Sequence, residues 1–569
     1  MIGSKKEIKT PWITSYGKVK ASLDYPLTTL FEEFEKTAKK YPLYTAYEFY
    51  GKKTTYTKAL GDIITCAKAL VAEGIEPGQS VTVCLPNCPQ SVTSFYAINM
   101  IGAIANMIHP LSSPKEIEFY LRDSKSTAAI TLDQFVPNFE TIRSAVAPFK
   151  MIVATLKDSL PILTGIGYVL TQGRKITKIN PTATTIPWKT FIENASGKSE
   201  TCKAQKSCDD LAVILYSGGT TGVSKGIMLS SKNFNALSYQ IIAMDGFFTP
   251  KDKMLAVIPM FHGFGLGISI HTMLVNGGHC ILVPRFDLNS YAKILKTKKP
   301  NYIAGVPSIF EALLRLPNFG KADLSFLKGV FAGGDSLSVS LKKRFDSFLH
   351  EHNASITIRE GYGTTECVTA SCLTPYNKEK EGSIGIPLPD MLFKIVKPGT
   401  QTALDFGDDG EICIAGPTVM MGYANQKEET DKTLQKHRDG ETWIHTGDLG
   451  NMDADGFIYF KQRIKRMIIT NGYNIYPGMI ENALEAHPTV HISCVIGIQD
   501  ALKGQRIKAY IVLKDGYKES EELKNILREH CKEHIAKYAL PSEFEFRADL
   551  PKTKVGKVAY RELEEEAEK

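Results

Sequence analysis

Apolar, β-branched runs recur along this chain and end in glycine-rich turns. Residues 81–85, 211–216, 329–332 and 355–359 each read as a buried strand, and the last three run straight into SGGTTG, GGDS and EGYGTTE. A further run, 254–258, ends at PMFHGFG. Between these lie stretches of helical character, such as 115–121 and 341–348. Strand and helix in alternation predict an α/β architecture, in which ligands gather beyond the carboxyl ends of the strands.

The pattern changes near Asp455-Gly456, where a tight turn precedes the strand-like run 457–460 and the charged run 461–466. A domain boundary is expected there, dividing the chain into 1–463 and 464–569. The second part holds roughly a hundred residues, enough for a small α+β domain with its own core.

Composition adds limits rather than a function. The 569 residues, 43% hydrophobic and 23% charged, suit a globular protein with more than one core. A balance of 68 basic against 61 acidic residues leaves +7, too mild for a dedicated nucleic-acid binder but compatible with anionic ligands or a phospholipid surface. The N-terminal MIGSKKEIKTPW has no apolar core of signal-peptide length, and the apolar runs elsewhere are short, so a cytoplasmic, non-spanning protein is expected. The 11 cysteines lack zinc-site spacing and read as reduced structural residues.

The stretch YSGGTTGVSKG at 216–226 carries the densest chemistry. Gly218, Gly219 and Gly222 let backbone N–H groups approach phosphate oxygens, Ser217, Thr220 and Thr221 add donors, and Lys225 adds positive charge. It is not a Walker loop, because Ser224 precedes the lysine and Gly226 follows it. So many glycines and hydroxyls behind a buried strand favour phosphate binding over an ordinary flexible turn.

This loop resembles the signature of the adenylate-forming superfamily, which comprises acyl-CoA synthetases, adenylation domains of peptide synthetases, and luciferases. Further motifs follow in matching order. GYGTTE at 361–366, with Glu360 before it, resembles the nucleotide segment in which a tyrosine, here Tyr362, stacks on adenine between Gly361 and Gly363. In that segment the first threonine is Thr364, the second, Thr365, meets the α-phosphate, and Glu366 holds Mg²⁺, with Thr221 as a second implied metal contact. Gly333, Gly334 and Asp335 occupy the place where the family lays backbone against adenine. Asp448 in TGDL matches the ribose-binding aspartate, Arg463 the arginine that assists it, and Lys557 the lysine of the C-terminal motif, PKTKVGK here. These matches span 216–557, with weaker likeness upstream.

The resemblance implies a large N-terminal domain of stacked, mainly parallel sheets plus a barrel-like part, followed by a small mobile C-terminal α+β domain with its hinge at Lys465. After rotation, the loop bearing Gly472 and Tyr473 would replace Lys557 and leave space for the pantetheine arm of coenzyme A. His262 becomes a lid residue beside the acyl site, whose expected walls are Phe261, Gly263, Gly265, Gly305, Val306 and Ser308. The two glycines either make room for an alkyl chain or form a strand-to-helix turn.

The residue types suit these roles. A carboxylate is a poor electrophile, and its attack on the α-phosphate of ATP needs cations that offset charge on both anions and on departing pyrophosphate. Glu366 can hold such a cation and Lys557 can supply another. Asp448, acceptor-only when ionised, suits two ribose hydroxyls. Gly333-Gly334-Asp335-Ser336-Leu337 also reads like a phosphopantetheine attachment motif, but it stands between a strand and a helix of the large domain, not in a separate carrier domain.

The segment 151–178 resembles one found in long-chain fatty acid synthetases, and its apolar and basic mixture is compatible with peripheral membrane contact. No charged residue near 261–266 or 306–310 announces a polar substrate. The expectation is a medium- or long-chain fatty acid–CoA ligase acting on fatty acid, ATP with Mg²⁺, and coenzyme A, with a homodimer left open and no nucleic acid as partner. Two alternatives stand beside it: a fatty acid–AMP ligase serving a carrier protein, and a non-catalytic acyl or nucleotide sensor.

Overall fold

The computed structural model describes the chain except residues 1–7, 162–179, 196–201, 218–223, 317–318, 321, 471–472, 501–503, 536, 554–556 and 569, and the side chains of 465, 473, 474 and 538. Two mainly parallel sheets dominate the N-terminal part. One has eight strands, with Ser80–Cys84 paired in parallel to both Ile104–Met107 and Ser126–Leu132, and Leu211–Ser217 beside Ile104–Met107. The other has nine, with Lys253–Ala256, Tyr302–Gly305, Gly329–Ala332 and Ile358–Tyr362 running parallel in that order. Their strands are buried on both faces, which is why they read as continuous apolar runs.

Helices cross between the strands and start on side-chain caps. Ser113 and Glu116 form a reciprocal capping box ahead of Pro114–Ser124, and Ser338 accepts from the Leu341 N–H ahead of Val339–Glu351. These two contain the helices expected at 115–121 and 341–348.

Three strand expectations shift, each for a visible reason. The run 254–258 forms a strand only over Lys253–Ala256, because the Asn87 amide takes the carbonyls of Ala256 and Ile258 and leads the chain off the ladder. The run 355–359 begins late, at Ile358, and continues to Tyr362, since Gly361 and Tyr362 pair with Leu373 and Cys372 on an antiparallel neighbour. The run 457–460 becomes Ile458–Arg463 behind Gly456, whose φ is +85° and where a Cβ would fall 2.5 Å from the Trp12 nitrogen.

A third sheet is antiparallel, with Leu392–Val396, Gly410–Ala415, Thr442–Met452, Leu434–Lys436 and Ile458–Arg463, and forms the part expected to be barrel-like. Beyond it, Ile468–Thr470, Tyr473–Ile475, Val490–Asp500, Gly504–Leu513 and Glu543–Phe546 build a separate sheet. Ile480, Leu484, Leu523 and Leu527 from two helices pack on one of its faces, and Leu563 from Tyr560–Ala567 packs with Cys494, Ile496 and Tyr510 in a second core. The fold is a large α/β N-terminal domain with a smaller α+β C-terminal domain. None of the described helices is long and apolar enough to cross a membrane. All 11 cysteines are free thiols and ten are buried.

Candidate active site

Strand ends converge on one cleft. Leu211–Ser217 and Lys225–Ser230 form an antiparallel hairpin in which Ser217 faces Lys225. The loop between them, with Gly218, Gly219, Thr220, Thr221 and Gly222, lies outside the described residues, but its two anchors are fixed. Lys225 sits over the Tyr423 ring at 4.7 Å and pairs with Glu429 at 2.7 Å. Its charge is thus held by an internal carboxylate.

Tyr423 also donates its hydroxyl to Oε1 of Glu366 at 2.8 Å, and the Met420 N–H binds the Glu366 carbonyl at 2.8 Å. One oxygen of Glu366 is therefore oriented by the protein. A single carboxylate alongside substrate phosphates is the donor set Mg²⁺ commonly uses, so the residues fit that ion. Among the described residues no cluster of three or more His, Cys, Asp or Glu side chains could hold a metal by itself.

The segment after Glu366 is strained. Val368 has φ +65° and ψ −60°, and the Thr369 N–H reaches back to the Cys367 carbonyl at 2.7 Å, a γ-turn that a β-branched residue rarely adopts. The turn drives the Val368 carbonyl against Gly263, where a Cβ would lie 1.7 Å from that oxygen. Gly265 is equally confined, a Cβ there falling 2.1 Å from the Pro259 carbonyl oxygen. At both glycines backbone meets backbone, as the strand-to-helix-turn reading of them requires. The turn leads into a π-helix, Phe264–Thr272. An adjacent apolar cavity is lined by Ile241, Phe264, Ile268, Phe331 and Leu373, with Gly333 and Gly334 at its edge. Gly305 ends the neighbouring strand Tyr302–Gly305, Val306 caps the helix Pro307–Leu314 that contains Ser308, and the Gly333 N–H binds the Gly305 carbonyl at 3.1 Å.

Tyr362, Asp448 and Arg463 meet on the far side of the cleft. Asp448 and Arg463 are direct cross-strand partners in an antiparallel pair. Tyr362 donates its hydroxyl to Oδ2 of Asp448 at 2.7 Å, and Nε of Arg463 lies 2.8 Å from Oδ1. The second contact is charge pairing rather than an aligned hydrogen bond, since Oδ1 makes none. Burial raises the Asp448 pKa, with the Arg463 charge acting against the rise. Glu360, buried beneath the Gly333–Ser336 turn, is pushed by burial up to about 8 while accepting the Leu337 N–H at 3.3 Å.

Lys557 enters from the small domain. Its ammonium is influenced by Asp335, Arg463 and Asp448, and burial lowers its pKa. His262 is depressed to about 4, first by burial and then by the Lys557 charge. The Phe264 N–H points at Nδ1 of His262 at 3.2 Å, which leaves that nitrogen unprotonated and the ring proton on Nε2. Phe261 lies against the His109 ring at 4.3 Å. Ser336 is exposed in the strand-to-helix turn of the large domain. Of the segment 151–178, Lys150–Ala154 is a strand and Leu156–Ser159 a short 3-10 helix, while 162–178 lie outside the described residues, as does Gly472.

Sequence reasoning missed Tyr423, Glu429 and Glu411. Glu411 alone had a usable signal: it is a charged residue in the buried strand GEICIA.

The profile of the family described as AMP-binding enzyme matches residues 34–424, and that of the AMP-binding enzyme C-terminal domain matches 479–557. This chain belongs to the AMP-binding enzyme family. It is 36% identical over 564 residues to a long-chain-fatty-acid–CoA ligase of Bacillus subtilis (strain 168), covering 98% of each chain. Among solved structures it resembles ATP-bound MatB from Rhodopseudomonas palustris, at TM-score 0.82 and 25% identity over 95% of this chain and 99% of that one. It also resembles the anthranilate CoA ligase AuaEII in complex with anthranoyl-AMP, at TM-score 0.83 and 25% identity over 96% and 99%.

Proposed function

We propose that this protein joins a medium- or long-chain fatty acid to coenzyme A in two steps within one cleft. In the first, a carboxylate oxygen of the acid attacks the α-phosphorus of ATP, the bond to the β-phosphate oxygen breaks, and pyrophosphate leaves. In the second, the pantetheine thiol loses its proton, sulfur attacks the acyl carbon, and AMP departs with the former carboxylate oxygen. The observation that carries this reading is that the ammonium of Lys557, from the small domain, lies within the electrostatic influence of Asp335, Arg463 and Asp448. A cation there offsets charge where carboxylate and phosphate approach.

Other residues take complementary roles. Asp448 accepts the ribose hydroxyls and Tyr362 lies along the base, with Gly333 and Gly334 supplying backbone. Ser217, Lys225 and the loop between them hold the phosphates, and Thr365 meets the α-phosphate. Glu366 would hold Mg²⁺, which travels with ATP and would neutralise phosphate charge. Neutral His262 serves as the lid residue beside the acyl site, and the apolar cavity takes part of the acyl chain. For the second step the small domain turns about Lys465, withdrawing Lys557 and presenting Gly472 and Tyr473. The substrate class is supported by the relatives' names and by the apolar lining of the cavity.

The test supplies ATP, Mg²⁺, coenzyme A and saturated acids of graded length, with AMP, pyrophosphate and acyl-CoA as readouts. Acid-dependent pyrophosphate release with AMP release only when coenzyme A is present is expected. Pyrophosphate release without any acyl-CoA would instead favour transfer to a carrier protein, and no pyrophosphate with any acid would favour a sensor.

A further inference from the structure

Behind the Thr446-Gly447-Asp448 turn lies a buried polar chain that the reaction scheme leaves unused. Glu411, on Gly410–Ala415, is 6% exposed. Its Oε1 accepts the Gly447 N–H at 3.0 Å and its Oε2 accepts from Nδ1 of His445 at 2.9 Å. Nε2 of His445 lies 3.0 Å from Nε2 of His437, so one of these two nitrogens donates to the other. Nδ1 of His437 is buried without a hydrogen-bond partner.

Neighbours hold the same turn from other sides. The Thr446 hydroxyl binds the Ile412 carbonyl at 2.7 Å and accepts the Asp448 N–H at 3.1 Å. Gly447 has φ +70° and lies in a bulge of the strand Thr442–Met452, between two residues whose side chains are fixed. A charge buried in an otherwise apolar strand costs stability unless it is fully bonded, and here both oxygens are used, one of them on the backbone of the turn.

We propose that Glu411 is a positioning residue for nucleotide binding: through its bond to Gly447 it sets the backbone that aims Asp448 at Tyr362 and Arg463, with His445 and His437 fixing the orientation of its carboxylate. It touches no substrate. The proposal rests on Asp448 being the ribose-binding carboxylate, as set out above.

The geometry separates the bond to Gly447 from the charge beside His445. Glu411→Gln retains an oxygen that can accept the Gly447 N–H but removes the charge. Glu411→Asp retains the charge but is one methylene too short to span both partners. AMP affinity is measured by calorimetry on the full chain, alongside ATP KM and kcat from pyrophosphate release and the thermal unfolding midpoint. Glu411→Gln is expected to bind AMP within about threefold of the unaltered chain, while Glu411→Asp loses about tenfold or more in AMP affinity and ATP KM with a much smaller change in kcat.

The opposite order, Asp tolerated and Gln not, would mean that the charge pair with His445 matters and that Gly447 is not held in this way. Equal AMP affinity in all three proteins would likewise overturn the proposal. Asp448→Asn is the control for the reading beneath it: if that variant, or Glu411→Asp, unfolds at the assay temperature, the Gln variant still decides, since a tenfold loss there contradicts the expectation. If the unaltered chain fails to bind AMP, the assignment of the nucleotide site falls as well.

Discussion

Arg463 and Asp448 stand opposite each other on adjacent antiparallel strands, and their side chains meet at 2.8 Å with Asp448 almost wholly buried. The pair places a carboxylate at the cleft and offsets the cost of burying it, and Tyr362 fixes its second oxygen. Asp448→Asn keeps the shape but removes charge and one acceptor. AMP affinity should fall by about 10–100-fold, the scale of a lost charge-assisted hydrogen bond, as measured by calorimetry. An unchanged affinity would assign the pair to sheet stability alone.

Lys557 comes close to the same carboxylate from the other domain, where burial lowers its pKa. Its removal should slow acyl-adenylate formation by about 10²–10³. Lys557→Ala is nevertheless expected to convert supplied acyl-adenylate and coenzyme A to thioester at close to the original rate. Single-turnover measurements of each half-reaction check this, and equal losses in both would contradict the division of roles.

Glu360 gives a pH signature. Its folded pKa, raised by burial to about 8, lies above the ordinary carboxylate value of 4.5. The folded state therefore holds a proton that the unfolded chain releases, and the stabilisation present below pH 4.5 is lost as pH rises towards 8. Glu360→Gln cannot ionise and can still accept the Leu337 N–H. Relative to the unaltered protein it should gain stability between pH 4.5 and 8 by up to ~1.4 kcal/mol per pH unit, and level off above. Denaturant unfolding at pH 5, 7 and 9 reads the difference, and a constant offset would show that the buried carboxylate does not titrate in this way.

Acyl selection should follow the cavity wall rather than the glycines of the turn. A Cβ at Gly265 meets the Pro259 and Ile258 carbonyls, so Gly265→Ala should depress activity with every acid and lower the unfolding temperature. Ile241 instead lines the cavity. Ile241→Trp should shift kcat/KM towards shorter acids, with about 1–3 kcal/mol of discrimination for each methylene excluded. A uniform decline across the acid ladder for Ile241→Trp would show that this wall does not meet the tail.

What could be read from the sequence follows from how local each signal is. The strand 329–332 appears at its expected bounds, because a buried parallel strand announces itself as an uninterrupted apolar run. Gly361 and Tyr362 extend their strand unexpectedly because the pairing partner, Cys372–Leu373, is a tertiary choice. Lys225 sits in a dense local motif, and Glu366 and Asp448 are legible through the family resemblance that their motifs carry. Tyr423 and Glu429 reach the site through Glu366 and Lys225, 57 and 204 positions away, so their ordinary surroundings in the chain conceal them, whereas Glu411 shows only as a charge in an apolar strand. The role of Gly263 was also hidden, since it depends on the strained turn at Val368 rather than on its own neighbours.

The last expectation concerns motion between the half-reactions. In the proposed scheme Lys557 gives way to the pantetheine thiol, and the small domain turns away before sulfur reaches the acyl carbon. In the present arrangement the two domains come together where Nδ1 of His491 lies 3.6 Å from Oε1 of Glu311, which pairs with Arg315 and Arg344. Lys465 lies in the short 3-10 segment Ile464–Arg466, just after Arg463 leaves the third sheet and before Ile468 joins the fourth, where few backbone dihedrals need to change to reorient one sheet against the other. Proline at this position fixes φ near about −65° and removes an N–H, which leaves the adenylating arrangement accessible but restricts the turn. Lys465→Pro should retain acid-dependent pyrophosphate release, while thioester formation from supplied acyl-adenylate falls by orders of magnitude. Rapid-quench assays of both steps read this directly, and full thioester activity in that variant would remove Lys465 as the hinge.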